Sequence, residues 1–133
     1  DKAKRGKLLS LIVVDIDYFK KVNDTYGHLT ADKILERVAR VLEKEVRKYD
    51  IVARFGGEEF FIMLPAASLN VAKRIAERVR KVVFLDGNLK KYGTSISLGV
   101  AEYKARDNLE RISKRADKAL YRAKKGGRNR VCW

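Results

Sequence analysis

Two glutamates follow two glycines in Arg54-Phe55-Gly56-Gly57-Glu58-Glu59-Phe60-Phe61. Adjacent carboxylates repel each other unless a cation or a proton lies between them. Hard divalent cations take oxygen ligands, so magnesium is the natural partner for such a pair. Glycine at both positions tolerates φ > 0 and removes the Cβ that would hold a ligand off the backbone. Ile51-Val52-Ala53 leads in and Phe60-Phe61-Ile62-Met63-Leu64 leads out. The segment therefore reads as a β-hairpin, with strands Ile51–Phe55 and Glu58–Leu64 joined by a tight turn of the primed type. On this motif alone, an exposed turn with two solvated glutamates stands as the alternative.

A further source of carboxylates lies upstream. Leu8-Leu9-Ser10-Leu11-Ile12-Val13-Val14 is a near-continuous apolar run, as expected of a central strand covered on both faces, and it ends in Asp15-Ile16-Asp17. Residues two apart in a strand share a face, so both aspartates can point the same way. A carboxylate at the end of a buried strand is costly unless paired or metal-bound, which favours a site role for Asp15. Asp17 is open between a site role and a turn or capping role. Asp15, Glu58 and Glu59 are expected to meet at one edge of the sheet. Such an edge suits two-metal phosphoryl or nucleotidyl transfer, in which cations clamp the attacking and leaving oxygens. Zinc chemistry is disfavoured, because His28 is the only histidine and no cysteine pattern accompanies it.

These groups need a scaffold. Between Phe19 and His28, Gly27 stops a short helix, and the polar cluster reads as a loop on the same edge as Asp15. From Thr30, read as an N-cap, an amphipathic helix carries Ala31, Ile34, Leu35, Val38, Leu42 and Val46 on one face. Asp32 in its first turn suits the helix dipole, and its nearness to Asn23 also admits a base-reading role. The helix ends near Arg47-Lys48-Tyr49-Asp50, with Arg47 in the last turn. Asp50 can pair with it, and a surface pair of that kind contributes at most about 1 kcal/mol.

Pro65 closes the second hairpin strand. Ser68 opens another helix, with Leu69, Ala72, Ile75, Ala76, Val79, Val82 and Val83 inward and Lys73, Arg74, Arg78 and Lys81 outward. Phe84 to Tyr92 reads as a loop. Thr94 to Tyr103 alternates like a half-covered strand. A final helix from about Asn108 to Lys124 turns Leu109, Ile112, Ala116, Ala119, Leu120 and Ala123 inward. Its cap region is Asp107-Asn108-Leu109-Glu110. The basic glycine turn from Lys124 to Arg130 can cradle phosphate or serve only as a polar loop, and Val131-Cys132-Trp133 adds a short edge strand. The order strand, helix, hairpin, helix, strand, helix gives an α+β layered domain, its central, mostly antiparallel sheet flanked by helices.

The 133 residues suit one domain, a hydrophobic content of 46% excludes disorder, and no stretch reaches the length of a membrane span. A formal net charge of +14 favours polyanionic partners: nucleotides, nucleic acid or an anionic membrane surface. A nucleic-acid-binding domain ranks last among these, since no groove-reading or base-stacking motif occurs. The single cysteine, Cys132, excludes an internal disulfide and fits a reducing compartment. Asp1 to Lys7 reads as a polar, frayed lead-in.

Several separated motifs together carry a family resemblance. They are Asp15-Ile16-Asp17-Tyr18-Phe19-Lys20-Lys21-Val22-Asn23-Asp24, Gly27-His28, Arg54 to Phe60, Ser95-Ile96-Ser97-Leu98-Gly99-Val100-Ala101, Arg115-Ala116-Asp117-Lys118-Ala119-Leu120-Tyr121, and Ala123-Lys124 to Arg128-Asn129. From about Leu11 to Asn129 the chain resembles the GGDEF family, the diguanylate cyclases, in their GGEEF form. The resemblance implies a cyclase/palm-like fold. It also implies a bacterial, cytoplasmic nucleotidyltransferase that joins two GTP into cyclic di-GMP and releases two pyrophosphates.

The resemblance makes Asp15, Ile16, Glu58 and Glu59 the metal residues, for two Mg2+ or Mn2+ ions per site. Glu58 is its candidate for helping to deprotonate the 3′-hydroxyl. Gly56 and Gly57 would let the nucleotide lie on the hairpin, and Asn23 and Asp32 would read guanine. Lys124 and Arg128 would hold the β- and γ-phosphates, with Phe19 and Lys20 lining that pocket. Arg47 and Asp50 look like the family's RxxD inhibitory site, with Arg78 contributing. The implied partners are GTP, cyclic di-GMP and a second copy in a transient homodimer, with no nucleic acid and no membrane contact by this domain. Residues 1–133 would form one GGDEF domain lacking the family's N-terminal helix and an upstream regulatory module, through which a longer protein could be membrane-anchored. A cyclase-like module that binds cyclic di-GMP or GTP with little turnover is the alternative.

Overall fold

The apolar run after Leu8 becomes β1 (Leu9–Ile16), buried from Ser10 onward. The computed structural model describes residues 8–133, so the reading of Asp1 to Lys7 lies outside the described residues. Because β1 is apolar on both faces, it takes the middle of a five-stranded sheet ordered β2-β3-β1-β4-β5. The other strands are β2 (Ile51–Phe55), β3 (Glu59–Pro65), β4 (Ile96–Glu102) and β5 (Val131–Cys132). β1 runs antiparallel to β3 and β4, β2 antiparallel to β3, and β5 parallel to β4, so the sheet is mixed and mostly antiparallel. The helices are α1 (Phe19–Tyr26), α2 (His28–Glu45), α3 (Leu69–Leu85), α4 (Gly87–Lys90) and α5 (Leu109–Lys125).

Period-two alternation in β1 sends its residues into two separate cores. Ile12, Val14 and Ile16 join Val22 of α1, Ile34, Val38 and Leu42 of α2, and Ile75 and Val79 of α3. Leu11 and Val13 pack with Ala101 of β4 and Ile112, Ala116 and Leu120 of α5. Asp15 follows Leu11 and Val13, on the face that α5 covers. The helix caps form as their residue types require: Ser68 accepts from Val71 N and Asn108 from Arg111 N. Among the described residues, no helix is long and apolar enough to cross a membrane.

Several local expectations change. The hairpin pairs Phe55 with Glu59, so its loop is the three residues Gly56-Gly57-Glu58 rather than a two-residue primed turn. Only Gly56 has a positive φ, 77°, and Glu58 belongs to the turn. α2 starts earlier than Thr30, because Ala31 N already bonds to Gly27 O at 3.0 Å. Gly27 is therefore its N-cap, and Asp32 falls outside the first turn, where the dipole would favour it. The helix also ends at Glu45, leaving Arg47 beyond the extended Val46.

The stretch Phe84 to Tyr92 is not a plain loop. α3 continues to Leu85, and Asp86 then caps α4 while pairing with Arg37 at 2.6 Å. Leu109 is 62% exposed, since it precedes the first buried residue of its helix, Ile112. β4 is covered on both faces rather than one, with every residue from Ile96 to Ala101 buried.

That second cover depends on Gly99. A Cβ there would lie 2.1 Å from Ala116 O and 2.3 Å from Leu120 N, both backbone atoms of α5. Only glycine lets α5 seat against β4. Gly99→Ala is expected to cost about 3 kcal/mol or more, at the upper end of overpacking costs, because helix backbone cannot rotate away as a side chain can. Urea unfolding checks this, and a loss under about 1 kcal/mol would contradict the close approach.

Candidate active site

The register places Asp15 opposite Glu59 on one side and Ser97 on the other. Ile16 N donates to Glu58 O at 3.2 Å, which ties the hairpin tip to the end of β1. Asp15, Ile16, Glu58 and Glu59 are thus brought together, as expected. Lys124, in the last turn of α5, reaches in from the covering helix and its Nζ contacts Asp15 Oδ2. Asp15 Oδ1 is buried with no hydrogen-bond partner. Gly56 and Gly57 front this edge with open space where a Cβ would sit, so the tip leaves room for a ligand.

Burial, with neighbouring carboxylates behind it, is visible in the ionisation of the glutamates. Burial, then the neighbouring Asp15 charge, raises Glu58 above the ordinary glutamate value, with Lys124 opposing. Burial also raises Glu59, followed by the charges of Asp15 and Asp117, with Lys124 opposing and Glu58 adding a smaller push. Asp117, raised by its own burial, is a fourth carboxylate that the sequence reading did not assign. Its signal was available, since it stands seven residues before Lys124 on the same helix and so projects from a similar face.

The donor set fits a hard cation in part. A buried, unpartnered carboxylate oxygen and two glutamates held above their ordinary pKa are oxygen ligands short of positive charge. Among the described residues, no three acidic, histidine or cysteine side chains are close enough to enclose an ion unaided. Ligand phosphates or water would have to complete the shell, as is usual for magnesium.

Asp17 lies two residues on and is equally buried, yet it is fully satisfied. Its carboxylate accepts from Ser95 Oγ at 2.7 Å, Ser97 Oγ at 2.6 Å and Asn129 N at 3.0 Å. That settles Asp17 as a structural tie between β1, β4 and the turn after α5.

Arg128 leans over the Tyr18 ring, 4.6 Å from its centroid, beside Phe19 and Lys20 at the start of α1. No side chain caps α1, so its first N–H groups keep their anion-binding character. Asn23, on α1, has a buried Oδ1 without a partner, and Asp32 is exposed on α2.

Arg47, Asp50 and Arg78 gather at the other end of β2, around the C-terminus of α2. Arg47 Nε and Nη2 grip Asp50 at 2.9–3.2 Å, Arg47 N donates to Asp50 Oδ2 at 2.7 Å, and Nη2 also reaches Pro65 O at 2.8 Å. Arg78 bonds to Glu45 O and lies 3.6 Å from Glu45 Oε1. The Asp50 side chain is 0% exposed and that of Arg47 32%, so this is no loose surface pair. Removing Arg47 would strand a buried charge, and the small stability cost expected from sequence is corrected upward.

With this geometry in place, comparison with known proteins is decisive about family. The model "Diguanylate cyclase, GGDEF domain" matches residues 1–130, and the chain belongs to the GGDEF family. Diguanylate cyclase A of Treponema denticola is 45% identical over 134 residues, covering 96% of this chain and 36% of that relative's length. The active GGEEF domain of a diguanylate cyclase from Vibrio cholerae superimposes with a TM-score of 0.90 at 34% identity, over 98% of this chain and 86% of that one. The GGDEF domain of DgcB from Caulobacter crescentus, solved with c-di-GMP, matches with a TM-score of 0.87 at 35% identity, over 98% and 82%. The chain thus spans about a third of the length of the Treponema relative.

The crowded glutamates give a prediction. An acid with a raised folded-state pKa holds its proton more tightly folded than unfolded, so stability falls as pH rises through the interval above its ordinary value of 4.5. Glu59→Gln, neutral throughout, is therefore expected to melt above the parent at pH 7 in a chelator. The two should converge once the pH falls below the ordinary glutamate value. Thermal unfolding at both pH values checks this, and a variant less stable at pH 7 would contradict the upward shift that burial and the neighbouring carboxylates give Glu59.

Proposed function

We propose that this chain is the catalytic domain of a diguanylate cyclase. It condenses two GTP into cyclic di-GMP and two pyrophosphates. The observation that carries the reading is the convergence of Asp15, Glu58 and Glu59 at an open Gly-Gly tip, with Lys124 beside them. Relatives named as diguanylate cyclases, matching almost the whole of this chain, support that chemistry.

Each 3′-hydroxyl attacks the other nucleotide's α-phosphorus. One P–O bond forms, the α–β bridge breaks, and pyrophosphate leaves with the electron pair. Asp15, Ile16, Glu58 and Glu59 would hold two Mg2+ or Mn2+ ions, which supply Lewis-acid stabilisation of the developing charge. Glu58, its basicity raised by burial and by Asp15, is suited to take the hydroxyl proton. Lys124 and Arg128 hold the β- and γ-phosphates, with the uncapped start of α1 at Phe19 and Lys20 adding backbone donors. Asn23 and Asp32 read the guanine edge, and the unpartnered Asn23 Oδ1 suits an exocyclic amine. One carboxylate edge serves one GTP, so two chains must face each other to close the symmetric product.

Incubation with GTP and Mg2+ should yield cyclic di-GMP by chromatography. Specific activity should rise with enzyme concentration, and Glu59→Gln should lose synthesis while staying folded. A concentration-independent rate, or near-parental turnover in the variant at limiting Mg2+, would count against the site as drawn.

Product is proposed to bind at Arg47, Asp50 and Arg78, where arginine forks suit phosphate and the Hoogsteen edge of guanine. There it would hold domains with their GTP sites apart. Arg78 is the cleaner probe, because its side chain is 50% exposed. Arg78→Ala is expected to weaken cyclic di-GMP binding by roughly tenfold, about 1.4 kcal/mol, and to relieve inhibition with little change in melting temperature. Unchanged product affinity by calorimetry would return Arg78 to a helix-capping role.

A further inference from the structure

The turn after α5 holds an unusual backbone. Arg128 has φ 63° and Asn129 φ 47°, two consecutive non-glycine residues in the left-handed region, preceded by Gly127 at φ 121°. Such a conformation persists only where neighbouring groups over-determine it. Here they come from three separate elements. Asp17, at the end of β1 and held by the two serines of the β4 segment, accepts from Asn129 N at 3.0 Å. From α3, Arg80 Nη1 donates to Asn129 Oδ1 at 2.9 Å. Arg80 is itself fixed by Glu77, which accepts from its Nε at 2.9 Å and its Nη2 at 2.6 Å. From α5, Ala123 O accepts from Arg128 N at 3.0 Å. The Arg80 side chain is only 17% exposed, against 50% for Arg78 on the same helix. A solvated face would not need this.

We infer that Arg80 is a positioning residue for phosphate recognition. Through Asn129 it fixes the left-handed backbone from which Arg128 is aimed at Tyr18 and the start of α1. Arg80 itself touches no nucleotide. The inference rests on the reading that Arg128 and Lys124 hold the β- and γ-phosphates, and it adds a residue from the far side of the sheet to that grip. Loss of the Arg80–Asn129 link lets the turn relax, and the arginine loses its aim. The effect should depend on the length of the phosphate chain, which a merely structural staple would not produce.

The test is calorimetric titration of a non-hydrolysable GTP analogue with Mg2+, and separately of GMP, into the parent and four variants. Arg80→Ala is expected to bind the analogue roughly tenfold more weakly and GMP as the parent does. Arg80→Lys, which keeps a donor toward Asn129, should recover most of that loss. Asn129→Gly removes the acceptor but accommodates the positive φ, and it should reproduce the Arg80→Ala pattern even if Arg80→Ala folds poorly. Arg128→Ala separates the two layers of the argument. If it leaves analogue affinity intact, the phosphate reading fails and the inference falls with it. If it weakens the analogue while Arg80→Ala and Asn129→Gly do not, only the positioning role is overturned. Equal losses for GMP and the analogue in Arg80→Ala would likewise overturn it in favour of a general structural role.

Discussion

Asp15 sits at the end of the central strand with its side chain 5% exposed, and much of the architecture answers that one buried charge. An uncompensated buried carboxylate costs several kcal/mol even after the surroundings relax. Lys124 supplies the opposite charge, and it can do so only because α5 crosses β1 and β4 at close range. That close range in turn requires glycine at position 99, where any Cβ would strike the helix backbone. The compensation is incomplete, because one oxygen of Asp15 has no partner and the hairpin adds two glutamates to the same spot. The local excess of carboxylate over cation is what supports the proposed site for a ligand that brings positive charge.

Asp17 supplies the internal comparison. It is the same residue type, two positions along the same strand direction, and is as buried as Asp15. Three hydrogen-bond donors meet its carboxylate. A carboxylate so satisfied has nothing left to offer an ion, and it serves instead to pin the turn that carries Arg128. Burial alone therefore does not separate site from scaffold in this protein. The inventory of partners does.

The elements were largely legible in the sequence because period is a strong signal. The near-continuous apolar run from Leu8 to Val14 pointed to a central strand, and the amphipathic stretches of α2, α3 and α5 gave their buried faces almost residue by residue. The failures came where a single close contact overrides pattern. Thr94 to Tyr103 alternates like a half-covered strand, but the small residues Ser97 and Gly99 mark where a helix presses on the second face. Thr30 has the chemistry of a cap, yet Gly27 begins the helix three residues earlier. The hairpin gained a residue because pairing of Phe55 with Glu59 was set by the sheet rather than by the turn. At the site, residue types announced Asp15, Glu58 and Glu59. Asp117 could have been found from its seven-residue spacing to Lys124, but the burial of the Arg47–Asp50 pair depends on which elements meet in space, and no spacing along the chain encodes that. Asp50 in particular looked like a solvated partner, and it is enclosed.

The central claim is that the Asp15 edge holds divalent cations for nucleotide chemistry, and ion counting tests it most directly. Mn2+ titration followed by electron paramagnetic resonance, in the presence of a non-hydrolysable GTP analogue, reports how many ions each chain binds and how tightly. About two ions per chain are expected in the parent if the proposed two-metal site forms, with tight binding lost in Asp15→Asn while the variant stays folded. Equal stoichiometry and affinity in the parent and in Asp15→Asn would contradict it.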